Sequence, residues 1–167
     1  MNESTTMIKQ KICLLLFSTI FSFVAFTQPT HVTTDPEKNY KDAKELFVKE
    51  QYALAYPLFA SLQDKYPANT ASNHAYLTDD VNYYYIVCGL KLLQPVAEDQ
   101  ARHYIDVVSN EPRRELLSYH LAKYYFAKED FSDAINYYER AGLQNLSNEE
   151  IADAKFEKAY CYFNLRQ

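Results

Sequence analysis

The sequence predicts an all-α fold built from repeated helix-turn-helix units. The 167-residue chain contains only two glycines, whereas a strand-rich protein needs many tight turns, which draw on glycine. Residues 129–142 read EDFSDAINYYERAG and place Ala134 and Ala141 one heptad apart, with Phe131 and Tyr138 at the same separation. On a helix this spacing aligns small and aromatic side chains along one face, where a second helix can approach closely.

The N-terminal segment has the composition of a signal peptide. Lys9 and Lys11 precede an apolar run over residues 12–26, which at about fifteen residues is short for a membrane span. We expect residues 1–27 to be a signal peptide and residues 28–34 a linker, with an uncleaved anchor as the alternative. For a Gram-negative source, the exported chain would be periplasmic or associated with the outer membrane.

Four segments of the remaining chain share one pattern of small and large residues. The predicted units cover residues 35–67, 81–112 and 113–146, with a polar connector at 68–80 and an incomplete unit at 147–167. In each first helix a small residue is followed three positions later by a large one: Ala43 and Leu46, Gly89 and Leu92, Ala122 and Tyr125, Ala159 and Tyr162. In the complete units a second helix carries an alanine and a bulky residue four positions later: Ala55 and Phe59, Ala101 and Ile105, Ala134 and Tyr138.

Two helix starts are marked by clear capping signals. Asp35 is an N-cap residue followed by Pro36, and proline is favoured in the first turn of a helix. Ser147 with Glu150 three residues later is typical of a capping box. The sequence therefore predicts helices that begin next to Pro36 and next to Ser147.

Three further helix boundaries are predicted from single residues. Thr78, Asp79 and Asp80 can cap the helix that follows the connector. Gly142 suits the end of a helix. Pro57 is tolerated if its helix starts near residue 53 or 54, because it then lies in the first turn.

The four units resemble the tetratricopeptide repeat, a helix-turn-helix unit of about 34 residues with small residues where its two helices cross. The resemblance extends over residues 36–167 and is closest in the first and third units. There Tyr52 and Phe131 precede the second helix, whereas the second unit has Glu98 at that place. The resemblance implies a right-handed α-solenoid whose first helices line a concave face.

By the same resemblance, the concave face would bind a protein or peptide partner. The residues it implies are Tyr40, Lys44, Phe47, Tyr83, Ile86, Leu90, Leu93, Tyr119, Lys123, Phe126, Phe156, Tyr160 and Phe163. Only Lys44 and Lys123 are basic, so the carboxylate clamp of some family members is not expected. An aromatic groove suits an extended peptide or an inserted helix, although individual rings can instead pack between neighbouring helices.

Cys88 and Cys161 remain once the signal peptide is removed. They fall in the first helices of the second and fourth units, and helices two units apart are separated by roughly 20 Å when packed helices are 8–10 Å apart. A disulfide needs α-carbons within about 7 Å. The sequence therefore predicts two separate buried thiols, with neither a bridge nor a metal site.

Several classes of function are disfavoured by composition and motifs. The net charge is −5 without a basic block, whereas a nucleic-acid binder needs a basic stripe. We find no glycine-rich phosphate loop, no His-Glu-x-x-His pattern and no Gly-x-Ser-x-Gly motif. The expected protein is not an enzyme and binds no cofactor.

The leading hypothesis is a non-catalytic scaffold of the bacterial cell envelope that holds protein or peptide partners. The alternative is an N-terminal repeat module of a longer sensory, signalling or enzymatic chain. The last helix carries Phe156, Tyr160, Tyr162 and Phe163 on more than one face. Because buried aromatic rings contribute a large contact area, we expect further repeats or another chain to cover this helix, with a naturally short C-terminus as the other possibility.

Overall fold

The computed structural model describes residues 36–65 and 75–166, and this part of the chain is all α-helical. It contains helices α1 (Pro36–Val48), α2 (Tyr52–Lys65), α3 (Ala75–Lys91), α4 (Pro95–Val107), α5 (Glu111–Ala127), α6 (Phe131–Arg140) and α7 (Asn148–Leu165), with a short 3₁₀ helix at Leu143–Asn145. No strand occurs in these two stretches, so the all-α prediction is confirmed. The predicted signal peptide, the linker and Asp35 lie outside the described residues.

The helices pack in the order of the chain. Each helix contacts the next one, and the first helices also contact one another in the series α1–α3, α3–α5 and α5–α7. One core cluster lies around Ala43, Phe59 and Val81, and a second extends from α3 to α7. Tyr84 and Tyr85 pack against both clusters, so α3 joins the two parts of the core.

The same turn connects the two helices of each complete unit. Glu50, Leu93 and Glu129 each lie two residues beyond the end of a first helix, with left-handed φ angles of 57°, 52° and 60°. The amide that follows each of them donates to the carbonyl five residues earlier, at 2.9 Å in all three turns. This is the bond that closes a Schellman-type helix end. Since none of the three residues is glycine, the sequence does not signal the turn.

Small residues allow the helices to approach, as predicted, but in the second unit the small residue lies at a different distance from the turn. Ala43 and Ala122 are fully buried seven residues before the turn residues Glu50 and Glu129, whereas Gly89 precedes Leu93 by only four. The alignment of Gly89 with the two alanines is therefore wrong by one helical turn. A Cβ at Gly89 would lie 2.8 Å from the Cβ of Ala97, which shows how closely α3 and α4 approach there.

Two predictions about helix starts are wrong. Helix α3 begins at Ala75, so residues 75–80 of the predicted connector are helical, and Thr78, Asp79 and Asp80 lie inside the helix instead of capping it. Helix α2 begins at Tyr52, which places Pro57 in its second turn. Pro57 lacks the N–H that would donate to the carbonyl four residues earlier, a loss that its exposed position tolerates better than a core position would.

The other three boundary predictions are confirmed, and the first of them is met by α1, which begins at Pro36. The Ser147 hydroxyl accepts from the Glu150 amide, and the Glu150 carboxylate accepts from the Ser147 amide, which completes the capping box. Gly142 follows the end of α6. Its φ of −76° is not left-handed, but a side chain at this position would collide with the Glu115 carboxylate.

Cys88 and Cys161 are both fully buried, as predicted, and both are free thiols. Burial raises the pKa of the Cys88 thiol to about 12. A thiol held in its protonated form is a poor nucleophile, so this cysteine acts as a small core residue. No helix within the described ranges has the length and apolar character needed to cross a membrane.

Candidate interaction surface

Four of the residues expected in the groove belong to the core. The exposed fractions of Tyr83, Ile86, Leu90 and Tyr119 are 7%, 1%, 2% and 2%. Tyr83 lies beside Tyr104, and Tyr119 lies beside Tyr138, so these side chains fill the space between packed helices. They have almost no surface left for a partner, and we therefore leave them out of the candidate surface.

Tyr40, Lys44 and Phe47 of α1 are half-buried and contact α3. The Lys44 ammonium lies 5.7 Å from the ring centre of Tyr40 and 5.4 Å from that of Tyr84. Phe47 meets the Tyr84 ring edge-on at 4.8 Å. Cation–π and edge-to-face contacts of this kind hold the first helices together while leaving part of each side chain accessible.

Lys123 of α5 is held by two carboxylates of α7. Its ammonium lies 3.0 Å from Glu157 and 3.3 Å from Asp153. Burial alone would lower the pKa of Lys123, but the hydrogen bonds and charges of these carboxylates outweigh burial and raise it. Glu157 also accepts from the Tyr138 hydroxyl, so it ties α7 to both α5 and α6.

A cleft of about 210 Å³ lies between the C-terminal halves of α3 and α5. Its lining residues are Leu90, Lys91, Leu93, His120, Lys123, Tyr124 and Ala127. The Nδ1 atom of His120 is buried without a hydrogen-bond partner. Burial, together with the charges of Lys91 and Lys123, lowers the pKa of His120 to about 3, so the imidazole is neutral. Lys91 and His120 were not predicted here, because neither carries a sequence motif.

A polar cluster on Arg113 joins helices α1, α3, α4 and α5. The guanidinium pairs with Asp79 and Asp80, and lies 5.2 Å from the Tyr83 ring centre. Tyr104 donates to Asp79 at 2.9 Å, and Tyr40 of α1 donates to Asp80. These contacts explain why the two aspartates lie within α3: their carboxylates bind neighbouring helices instead of their own helix terminus.

Among the described residues, the exposed large aromatic side chains lie on α7. Phe156, Tyr160 and Phe163 expose 69%, 46% and 75% of their surface, and we call these three residues the α7 stripe. Ala154 and Cys161, on the opposite side of the helix, are buried. Tyr160 meets the rings of Phe126 and Phe131 at 5.7 Å and 5.9 Å, which makes the stripe continuous with the side of α5 that carries Lys123.

Within the described residues, no three His, Cys, Asp or Glu side chains are grouped so that they could hold a metal ion. The candidate surface consists of aromatic rings, lysine side chains and a small cleft, which can bind a partner through non-covalent contacts. Comparisons of the chain with protein-family models, with curated proteins and with solved structures find no match.

Proposed function

We propose that this protein is a non-catalytic helical-repeat scaffold that binds protein or peptide partners in the bacterial cell envelope. The α7 stripe is the observation that carries the proposal. Large exposed apolar patches are uncommon on monomeric proteins and are typical of interaction sites. Here three aromatic side chains are exposed together on one helix face and are continuous with Phe126 of the preceding first helix.

The architecture we propose is a right-handed α-solenoid of tetratricopeptide-like hairpins. Two features support it: contact between successive first helices, and the identical turn at Glu50, Leu93 and Glu129. In such an array each unit buries its apolar face against its neighbours, and the first helices together form one extended surface. The partner would bind along this surface through Lys44, Phe47, Lys123, Phe126 and the α7 stripe.

The cell-envelope location rests on the N-terminal segment, where two lysines precede an apolar run of signal-peptide length. Fractionation of the native cells tests it, since the mature chain should leave the cytoplasm and start after Thr27. Recovery of the intact chain in the cytoplasm would contradict this part of the proposal.

Site-specific photo-crosslinking in the native cells tests the binding function. A photoreactive phenylalanine analogue is placed at Phe163 and at Phe47, and in a control chain at Val107, which is 62% exposed on α4. We expect discrete protein adducts from positions 163 and 47 and none from position 107. Equal labelling at all three positions, or no adduct at any of them, would contradict a scaffold function.

A further inference from the structure

The α7 stripe corresponds, residue by residue, to positions that are covered in the preceding unit. The third and fourth units are related by a shift of 37 residues, from Ala122 to Ala159. The same shift takes Tyr119, Lys123 and Phe126 to Phe156, Tyr160 and Phe163. The stripe therefore corresponds to the side of α5 that contacts α6 through Tyr119 and α7 through Lys123 and Phe126.

In the third unit these positions are occupied by contacts with the helices that follow. Tyr119 is 2% exposed, Lys123 pairs with Glu157 and Asp153, and Phe126 packs edge-on against Tyr160. In the fourth unit the two phenylalanines are 69% and 75% exposed. Corresponding positions are thus covered, wholly or in part, by the following helices in one unit and left open in the next.

We propose that the α7 stripe binds an amphipathic α-helix of a partner protein, packed along α7 in the same direction as α7 packs along α5. This inference rests on the proposed scaffold function and names the partner's chemistry. The partner helix places apolar side chains against Phe156 and Phe163, and a carboxylate where it can accept from the Tyr160 hydroxyl. Exposed Ala159, within one turn of all three residues, leaves room for close backbone approach.

The geometry favours a different protein over a second copy of this chain. The face that covers α5 in the third unit is the inner face of α7, which includes Ile151, Ala154 and Glu157. In every folded copy this face is already packed against α5 and α6, so a second copy cannot present it to the stripe. The proposed partner protein supplies a helix of the same character.

A peptide with the sequence of residues 147–165 is the probe, because it carries the capping box and the face that covers α5. The labelled peptide is titrated with the full chain under reducing conditions, and binding is followed by fluorescence anisotropy. We expect saturable binding, weakened about tenfold or more by Phe156→Glu and by Phe163→Glu, since each places a charge in the apolar contact. Val107→Glu, an exposed apolar-to-acidic change on α4, should leave binding unchanged.

Three results would overturn the inference. The first is the absence of saturable binding up to about 1 mM peptide, the weak end of specific affinities. The second is binding that neither phenylalanine variant weakens, which would mean that the peptide binds elsewhere or displaces α7. The third is a concentration-dependent dimer of the chain alone, lost in Phe163→Glu, which would assign the stripe to a second copy. If photo-crosslinks at Phe47 persist while the peptide fails to bind, the scaffold function stands and this inference falls.

Discussion

The close approach of α3 and α4 at Gly89 can be tested by a double-mutant cycle with Ala97. In Gly89→Ala the new Cβ would lie 2.8 Å from the Ala97 Cβ and 3.4 Å from a ring carbon of Tyr56. Alanine gains about 1 kcal/mol over glycine inside a helix, but overpacking a tight contact costs about 1–3 kcal/mol. We therefore expect Gly89→Ala to lower the free energy of unfolding by up to about 2 kcal/mol.

The second single variant and the double variant isolate the steric contact. Ala97→Gly should cost about 2 kcal/mol, because it loses helix propensity and a buried methyl group. In the double variant the two Cβ atoms exchange places and the collision disappears. We expect the two changes to couple favourably by about 1–3 kcal/mol.

The assay is urea unfolding of the four proteins, followed by helical circular dichroism at one protein concentration. A coupling energy near zero, with Gly89→Ala more stable than the starting protein, would contradict a steric contact between positions 89 and 97. It would show that glycine at this position is not required by the approach of α4.

Four further predictions use matched variants. Phe59→Ala removes a fully buried ring and should lower the free energy of unfolding by about 3–5 kcal/mol. Phe156→Ala removes an exposed ring and should change this free energy by less than about 0.5 kcal/mol. Equal losses of unfolding free energy in urea would contradict the different burial of the two rings. Arg113→Ala breaks the contacts with Asp79 and Asp80 and should cost about 2–3 kcal/mol. Arg102→Ala should cost less than about 0.5 kcal/mol, because the Arg102 side chain is 52% exposed in its pair with Glu98. Unfolding of both variants at the same urea concentration would contradict this difference. Glu129→Gly removes the strain of a left-handed backbone at a non-glycine residue and should stabilise the protein by up to about 1 kcal/mol. Asp130→Gly removes the side-chain cap of α6 and should not stabilise the protein. A lower melting temperature for Glu129→Gly would contradict the left-handed conformation at this turn. The pKa of His120 is lowered from 6.5 to about 3, so the unfolded chain binds a proton at higher pH than the folded chain does. The free energy of unfolding should therefore fall as the pH drops below about 6.5, by at most about 1.4 kcal/mol per pH unit. In His120→Leu this free energy should depend less steeply on pH between about pH 6.5 and 5, and an identical pH dependence would contradict the lowered pKa.

The helical class was predictable from the sequence because its signals are local. Scarce glycine, small residues at helical spacing and the Ser147–Glu150 capping box act within a few residues of one another, and the structure contains each of the helices they imply. The start of α3 was missed because Asp79 and Asp80 resemble caps locally. Their carboxylates instead bind Arg113, some thirty residues away along the chain, and such contacts leave no local pattern.

The candidate surface was less predictable than the fold, since exposure depends on which helices meet. Tyr119 and Phe156 occupy equivalent positions in the proposed repeat and differ little in chemistry, yet one is buried and the other is 69% exposed. His120 and Lys91 line a cleft only because α3 and α5 are neighbours. The different position of Gly89 relative to its turn could not be predicted either, because the turns that set the alignment of the units contain no glycine.

The repeat architecture depends on contact between successive first helices, which nuclear Overhauser effects between aromatic rings can detect. The Phe47 and Tyr84 ring centres are 4.8 Å apart between α1 and α3, and those of Phe126 and Tyr160 are 5.7 Å apart between α5 and α7. We expect ring-to-ring cross-peaks for both pairs in the folded, selectively labelled protein. The absence of both cross-peaks would show that the hairpins do not pack in chain order.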